Sequence, residues 1–175
     1  MELISEAYRK QNEELHRRAD TFGVAGDRRA PIVAKLVERL AADSVLDYGC
    51  GKGGLRRALG PIVRNYDPAV PEYSALPDPA DVVVCADVME HVEDGCIDAV
   101  LAHIKGLSRK AAYFLVACRP SSQILPDGRN AHISLHDQDW WIDRIGQHFR
   151  LASVEKIGIG EVAMIGFPSD DHATD

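Results

Sequence analysis

Short apolar runs alternate with helical patterns over most of the 175-residue chain. Runs typical of strands lie at residues 44–46, 62–66, 82–85, 113–117, 151–157 and 162–167, and helical patterns lie at 31–40, 55–59, 96–107 and 139–147. This alternation predicts right-handed βαβ units and a mostly parallel sheet with helices on both faces. The last two runs are joined by a short connection with two glycines, which predicts an antiparallel hairpin at one edge of the sheet.

The first thirty residues differ from the rest of the chain. They are rich in charge and helix formers, and their apolar stripe is sparse: Leu3, Ala7, Tyr8, Leu15 and Ala19. Gly23 and Gly26 then end this helix. We expect residues 1–30 to form a helical cap or lid, residues 31–168 to form one α/β domain, and residues 169–175 to be a frayed polar tail.

Bulk composition excludes several classes of protein. The formal net charge of -7 argues against non-specific binding of nucleic acid, which needs clustered Lys and Arg. The four cysteines, at positions 50, 85, 96 and 118, show no CxxC spacing and are expected to be buried reduced thiols. Neither a membrane-spanning apolar stretch nor a signal pattern is visible in the sequence. We therefore expect a soluble cytoplasmic protein.

The stretch VLDYGCGKGG, at residues 45–54, fits two glycine patterns. One is the dinucleotide pattern GxGxxG, with Asp67 placed to bind a ribose, as in NAD-dependent enzymes. The other is DxGxGxG, which begins at Asp47. A carboxylate at Asp47 would repel a pyrophosphate, whereas S-adenosylmethionine carries an ammonium and a sulfonium and no phosphate. Asp47 therefore favours S-adenosylmethionine, and NAD stays as the alternative.

Three blocks of sequence together resemble the class I S-adenosylmethionine-dependent methyltransferases, specifically the small-molecule type with an Asp-x-x-Glu-His segment. They are VLDYGCGKG at 45–53, NYDP at 65–68 and VVVCADVMEHVED at 82–94. The resemblance implies a single Rossmann-like domain whose seven-stranded sheet ends in an antiparallel hairpin. It also implies methyl transfer to an oxygen or nitrogen atom of a small-molecule acceptor.

The same resemblance implies a cofactor site built from these blocks. The glycine turn would approach the methionyl part with Asp47 near its amino group, Asp67 would bind the ribose hydroxyls, and residues 74–76 would lie near the adenine. Asp87 and Val88 would border the methyl group. The predicted cofactor-binding residues are Asp47, Gly49, Cys50, Gly51, Gly53, Asp67, Pro68, Asp87 and Val88.

The predicted catalytic residues are Glu90, His91 and His132, with His136 behind them. A neutral histidine is a suitable general base near pH 7, and either His91 or His132 could serve. The alternative for Glu90 and His91 is a structural role at the start of a helix, where an acid suits the helix dipole.

The loop at residues 128–141 is expected to form a wall for the substrate, because it holds two histidines and two tryptophans in a chain poor in aromatic residues. Trp140 and Trp141 cannot share one helix face, so we expect one in the core and the other more exposed. Asp137 or Asp139 is expected to cap the helix that follows.

A divalent metal is a further possibility. Asp87, Glu90 and His91 are spaced so that a distant histidine, His132 or His136, could complete a ligand set. The segment resembles the Glu-x-x-Glu-His metal ligands of the small-RNA 2′-O-methyltransferases, with Asp87 in place of the first Glu. Two other functions stay open: methylation of a terminal sugar or ribose on a polymer, and non-catalytic binding of S-adenosylmethionine by a regulator or partner subunit.

Overall fold

One six-stranded sheet forms the centre of the computed structural model, which describes residues 2–20 and 22–169. Its strands are β1 (Val45–Tyr48), β2 (Val63–Tyr66), β3 (Ala80–Ala86), β4 (Ser108–Ala117), β5 (Phe149–Ile157) and β6 (Glu161–Pro168). They are arranged in the order β2-β1-β3-β4-β6-β5, in which the first four are parallel and β6 is antiparallel to both of its neighbours. The predicted Rossmann-like sheet and its C-terminal hairpin are confirmed.

Helices cover both faces of this sheet. The described α-helices are α1 (Glu6–Arg18), α2 (Ala30–Leu40), α3 (Gly54–Leu59), α4 (Ile97–Leu107) and α5 (Gln138–Gly146), of which α2 to α5 pack on the sheet. The apolar sides of α4 and α5 pack on one face, and those of α2 and α3 pack on the other. The capping prediction for α5 is confirmed at Asp137, whose side chain accepts a hydrogen bond from the amide of Trp140 at 2.8 Å.

The central strand β3 is buried on both faces, which explains why its sequence is continuously apolar. Val83 and Cys85 face the cluster under α4 and α5, whereas Val82 and Val84 face the cluster under α2 and α3. Successive side chains on a strand point to opposite faces, so a strand covered on both sides needs apolar residues at every position.

The helix α1 packs on the loop that follows β4. Tyr8 and Leu15 are buried together with Leu125 and Ala131 in a small third cluster. The start of α1 is held by Glu93, whose carboxylate accepts hydrogen bonds from the amide and the hydroxyl of Ser5, each at 2.8 Å. The segment predicted to be a cap is therefore attached to the sheet domain at both the apolar face of α1 and its N-cap residue, Ser5.

Beyond β2 the described chain forms no further strand before β3. A short 3-10 turn at Pro71–Tyr73 follows β2, and several prolines between 68 and 79 remove backbone donors that a strand would need. The seven strands implied by the family resemblance are therefore corrected to six.

Two chain-wide expectations have mixed outcomes. All four cysteines are free; three are buried, but Cys118 is only partly buried. The prediction for residues 170–175 of the tail lies outside the described residues. Among the described helices, none combines the length and the apolar character that a membrane crossing requires.

Candidate active site

A cavity of about 330 Å³ lies between the carboxyl ends of β1, β2 and β3 and the N-terminal segment. This is the end of a parallel sheet at which ligands bind in open α/β folds. Its wall includes eight of the nine predicted cofactor-binding residues and two of the predicted catalytic residues: Asp47, Gly49, Cys50, Gly51, Asp67, Pro68, Asp87, Val88, His91 and His132. The topology thus gathers most of the predicted site residues in one place.

The turn after β1 passes too close to its neighbours for side chains. A Cβ atom built on Gly49 would lie 2.4 Å from Cγ2 of Val88, and one on Gly51 would lie 2.6 Å from Cα of Gly23. Both glycines also have positive φ angles, 77° and 50°, which other residues rarely adopt. The turn therefore presents bare backbone to the cavity, with Val88 on one side and the N-terminal segment on the other.

One predicted residue, Gly53, and one predicted segment, residues 74–76, lie off the described cavity wall. Gly53 precedes α3, and a Cβ atom there would lie 2.7 Å from the side-chain Nδ2 of Asn65. Residues 74–76 are also absent from the wall, and Leu76 is 76% exposed. Gly53 therefore shapes the turn from behind, and the segment predicted to lie near the adenine faces solvent.

Asp47 lies near the end of β1, and its carboxyl group is buried. Its side chain is only 6% exposed, and Oδ2 has no hydrogen-bond partner among the described residues. Burial, and then the charge of Asp67, raise the pKa of Asp47 to about 7. A cationic group in the cavity would supply the missing partner and stabilise the ionised form.

Asp67, at the end of β2, is held firmly in position. Its Oδ2 accepts a hydrogen bond from the amide of Gly51 at 3.0 Å, and its Oδ1 accepts one from the amide of Ala69 at 2.9 Å. Nε2 of His16 lies 3.8 Å from Oδ2, and burial lowers the pKa of that histidine. The carboxylate is thus fixed against the glycine turn, with a helix α1 side chain beside it.

His91 and His132 both reach the cavity, and backbone carbonyls determine their tautomers. Nδ1 of His91 donates to the carbonyl of Ala131 at 2.8 Å, and Nδ1 of His132 donates to the carbonyl of Arg119 at 2.5 Å. Because a carbonyl can only accept, the proton is on Nδ1 and the lone pair is on Nε2 in each neutral ring. Burial, and then the neighbouring His132, lower the pKa of His91 to about 3, and burial lowers the pKa of His132 as well.

Glu90 lies behind these histidines and is fully buried. Its Oε1 accepts a hydrogen bond from the amide of Ala117 at 3.1 Å, whereas Oε2 has no partner in the part of the chain that the structure describes. Burial, and then the charge of Asp87, raise its pKa to about 8. Glu90, His91 and His132 offer ligand atoms that all lie within 4.8 Å of one another.

The other two residues predicted as metal ligands are used elsewhere. Asp87, with a positive φ of 57°, pairs with Arg29 at 3.2 Å. His136 contacts Asp94 at 3.2 Å and stacks on Trp140 at 3.6 Å between ring centroids. The candidate group of Glu90, His91 and His132 therefore keeps one of the two predicted histidines and differs from the predicted set in leaving out Asp87.

The two tryptophans divide as predicted but do not line the cavity. Trp141 is fully buried in the core and Trp140 is partly exposed. Neither belongs to the cavity wall. Of residues 128–141, His132 alone lies on the described cavity wall, so the rest of the expected substrate wall stays a prediction.

Much of the wall comes from residues that the sequence analysis did not select. Helix α1 contributes Tyr8, Asn12 and His16, which recur at four-residue steps and so share one face. Phe22 follows, with its ring centroid 4.6 Å from that of His16 and 5.4 Å from that of His91. The four-residue spacing was visible in the sequence, but residues 1–30 were expected to form a cap and none of them was selected for the site.

Comparison with known proteins places the chain among methyltransferases. The profile of a family described as "Methyltransferase domain" matches residues 16–158. A search of curated proteins found no match.

Solved structures show the same fold at low sequence identity. 1,6-didemethyltoxoflavin-N1-methyltransferase from Burkholderia thailandensis, with bound 1,6-didemethyltoxoflavin and S-adenosylhomocysteine, has a TM-score of 0.63 and 19% identity over 94% of this chain and 88% of its own. Magnesium protoporphyrin IX methyltransferase from Synechocystis PCC 6803, with bound S-adenosylhomocysteine, has a TM-score of 0.59 and 17% identity, covering 82% and 83%. An O-methyltransferase family protein from Burkholderia thailandensis has a TM-score of 0.59 and 18% identity over 93% of this chain, which spans only 64% of that protein.

Proposed function

We propose, because the chain belongs to the methyltransferase domain family, that it transfers the methyl group of S-adenosylmethionine to a small-molecule acceptor. One observation carries the proposal. A single cavity joins a bare glycine turn and the buried carboxyl group of Asp47, one oxygen of which has no partner among the described residues, to two neutral histidines. The end with the glycine turn and Asp47 suits the cofactor. The end with the two histidines suits an acceptor that must lose a proton.

The cofactor end fits the chemistry of S-adenosylmethionine. Oδ2 of Asp47 lacks a donor that an ammonium group would provide. Asp67 is fixed beside the turn, where its carboxylate could accept hydrogen bonds from ribose hydroxyls. Val88 borders the same turn, against Gly49. When bound, the cofactor supplies an electrophilic methyl group on its sulfonium, so no covalent intermediate on the protein is needed.

The protein then has to align the acceptor and remove one proton. An acceptor hydroxyl would donate its proton to Nε2 of His91 or His132. Its oxygen would form a bond to the methyl carbon as the S–C bond breaks, and that electron pair would stay on sulfur. An amine acceptor would need no enzyme base, because its proton could leave to solvent after transfer.

A small acceptor is favoured by the size and enclosure of the site. The cavity of about 330 Å³ is at the lower end of ligand pockets, and helix α1 covers it. Two of the similar structures are named for small-molecule acceptors. A ribose or sugar at the end of a polymer would need the N-terminal segment to move aside.

The proposal is tested by transfer of labelled methyl from S-adenosylmethionine into a metabolite extract, with identification of the labelled product. Calorimetry with S-adenosylhomocysteine provides the matching binding measurement. Binding without any transfer to small molecules or to polymer ends would favour the non-catalytic regulator. Tighter binding of NAD than of S-adenosylhomocysteine would reject the proposal.

A divalent metal is a second way in which the same site could activate an acceptor, and the group of Glu90, His91 and His132 favours it. Two imidazoles and a carboxylate suit ions such as Zn²⁺, Mn²⁺ or Fe²⁺. Both rings already donate Nδ1–H to carbonyls, as metal-binding histidines commonly do, and Oε2 of Glu90 lacks a partner among the described residues. An ion here would orient the acceptor and lower the pKa of its hydroxyl.

A further inference from the structure

The N-terminal segment gives the cavity an apolar wall. Leu3, Ile4 and Phe22 line the cavity, and Val92 joins them from the chain after β3. Each of these side chains packs against a core cluster but is only partly buried, so part of its carbon surface stays uncovered. A ligand that covers such surface removes it from water, which is favourable. The wall therefore suits an acceptor with a large apolar part.

Aromatic rings run in a row along the same wall. The ring of Phe22 contacts two histidines, with its centroid 4.6 Å from that of His16 and 5.4 Å from that of His91. His91 in turn meets His132 at 4.7 Å. All four residues line the cavity, so the ring of Phe22 adjoins the two candidate bases. A flat aromatic acceptor beside them would make the offset or edge-to-face contacts that ring pairs prefer.

The charges of the wall disfavour a negatively charged acceptor. Four carboxyl groups and one guanidinium, that of Arg29, belong to the described part of the wall. Arg29 is already paired with Asp87 at 3.2 Å. Both carboxylate oxygens of Glu93 accept hydrogen bonds from Ser5 at 2.8 Å, which keeps this acid beside the cavity. An anion bound here would be repelled by the carboxylates and would lack a free cation as partner.

We infer that the methyl acceptor is a phenolic compound, in which a flat aromatic ring without negative charge carries the reacting hydroxyl. The inference rests on the proposed function and names its substrate class. A phenolic hydroxyl has a pKa of about 10, so it passes its proton to a neutral base more readily than an aliphatic alcohol does. The proton would go to Nε2 of His91 or His132. The phenolic oxygen would bond to the methyl carbon, and the electron pair of the broken S–C bond would stay on sulfur.

Three acceptors of similar size test this class. 4-Methylphenol has the required features, 4-methylcyclohexanol lacks the aromatic ring, and 4-hydroxybenzoate adds a carboxylate. With labelled S-adenosylmethionine, kcat/KM should be about 10-fold or more higher for 4-methylphenol than for either of the others. Equal or faster transfer to 4-methylcyclohexanol or to 4-hydroxybenzoate would overturn the inference.

Substitution of Phe22 isolates the ring contact and makes this residue specificity-determining. Phe22→Leu should raise the KM for 4-methylphenol by about 3- to 10-fold and leave kcat within about twofold, since the contact is made equally in the ground and transition states. Phe22→Tyr keeps the ring and should keep the KM. Phe167→Leu is the matched control, because Phe167 is in β6 and lies off the described wall. An unchanged KM in Phe22→Leu would overturn the role of Phe22.

Labelling of a metabolite extract separates failure of this inference from failure of the proposed function. A labelled methyl ether of a phenol without negative charge would support the inference, even where 4-methylphenol itself is inert. A labelled product that is anionic, lacks an aromatic ring or carries the methyl group on nitrogen would overturn it and keep the proposed function. Absence of any labelled small molecule, with all three test acceptors inert, would reject the proposed function and the inference with it.

Discussion

His91 and His132 meet edge to face, with ring centroids 4.7 Å apart and an interplanar angle of 88°. Each ring donates Nδ1–H to a backbone carbonyl, which leaves the lone pair on Nε2 in both rings. Both histidines line the same cavity. A proton gained by one ring would place a positive charge beside the other, which is one cause of the low pKa of His91. The pair can therefore hold one proton more easily than two.

Removal of the base should affect catalysis and not cofactor binding. If one of these rings accepts the acceptor's proton, its replacement by Gln should lower kcat by roughly 10²- to 10⁴-fold, the usual contribution of general-base catalysis. The affinity for S-adenosylhomocysteine should change little. His136→Gln is the control, since His136 lies outside the cavity wall. Full activity in both His91→Gln and His132→Gln would exclude a histidine base.

The pH profile of kcat follows from the same pKa shifts. Both rings have pKa values lowered by burial, so they stay unprotonated and able to act as bases when the pH falls through 6.5. Activity on a hydroxyl acceptor should therefore persist below pH 6.5. An acidic limb centred at or above 6.5 would contradict this assignment.

Metal content separates the two ways of activating the acceptor. If the group of Glu90, His91 and His132 holds an ion, the purified protein should contain about one transition metal per chain by elemental analysis. Chelation should abolish activity, and Zn²⁺ or Mn²⁺ should restore it. His132→Gln should lose the metal, whereas His136→Gln should keep it. Full activity in excess chelator would leave histidine as the base.

Asp47→Asn should exchange function for stability. In the ligand-free protein the pKa of Asp47 is raised to about 7, above the ordinary 3.8, so the native state binds more protons than the unfolded state between these values. Its ionisation therefore costs stability as the pH rises through about 7. At pH 8 the Asn variant should be more stable than the wild type by about 1–4 kcal/mol, since each unit by which folding raises a pKa corresponds to about 1.4 kcal/mol.

The control for Asp47→Asn is the pH dependence of the stability difference between the variant and the wild type. Below pH 4 the carboxyl is neutral in both states, so the stability difference from wild type should close as the pH falls. Denaturant unfolding at pH 8, 6 and 4 measures this trend. At pH 8 the same variant should bind S-adenosylhomocysteine much more weakly than the wild type, and this difference should shrink as the pH falls. A stability difference independent of pH would show that Asp47 is not the titrating group.

The contact between Gly51 and Gly23 can be tested with matched alanine substitutions. Gly51 and Gly158 have similar φ angles, 50° and 56°, but a Cβ atom on Gly158 would meet nothing within 4 Å. Gly158→Ala should therefore cost about 1 kcal/mol of unfolding free energy from backbone strain alone. Gly51→Ala should cost about 2–4 kcal/mol, because it also separates the two backbones. Equal losses would show that the contact contributes nothing.

The N-terminal segment is expected to act as a lid over the bound cofactor. Helix α1 and Phe22 line the cavity, and the amide of Lys52 donates to the carbonyl of Gly23 at 2.9 Å. Hydrogen exchange of the α1 amides should slow when S-adenosylhomocysteine binds, because the ligand would add contacts on its inner side. Amides of the central strand β4 provide the reference. Unchanged exchange in α1 would make the segment a fixed part of the fold.

The sheet was predictable because its strands are buried on both faces and so read as unbroken apolar runs. The turn after β1 was predictable because its glycines have a steric requirement that few other patterns share. By contrast, the missing strand after β2 depends on prolines that break a pairing edge, which the family resemblance does not report. Strand and helix ends also shifted by a few residues, as at β4, which begins at Ser108.

The wall of the cavity was less predictable, since it depends on tertiary packing. His16 and Asn12 belong to a charged helix with a sparse apolar stripe, yet one face of it is covered by the loop after β4. Gly53 has the positive φ of its neighbours but faces Asn65. Sequence spacing identifies which residues share a turn, whereas the direction of each Cβ is settled only by what packs against it.

The origin of the wall has a consequence for how such a protein can change. Tyr8, Asn12, His16 and Phe22 come from a segment that contributes no strand to the sheet. Recombination or grafting that exchanges this segment and keeps Gly23 would alter one side of the substrate chamber while preserving Asp47, Asp67 and both histidines. If the cavity holds the acceptor as proposed, exchange of this segment would change acceptor selectivity while the sheet keeps Asp47 and Asp67 in place.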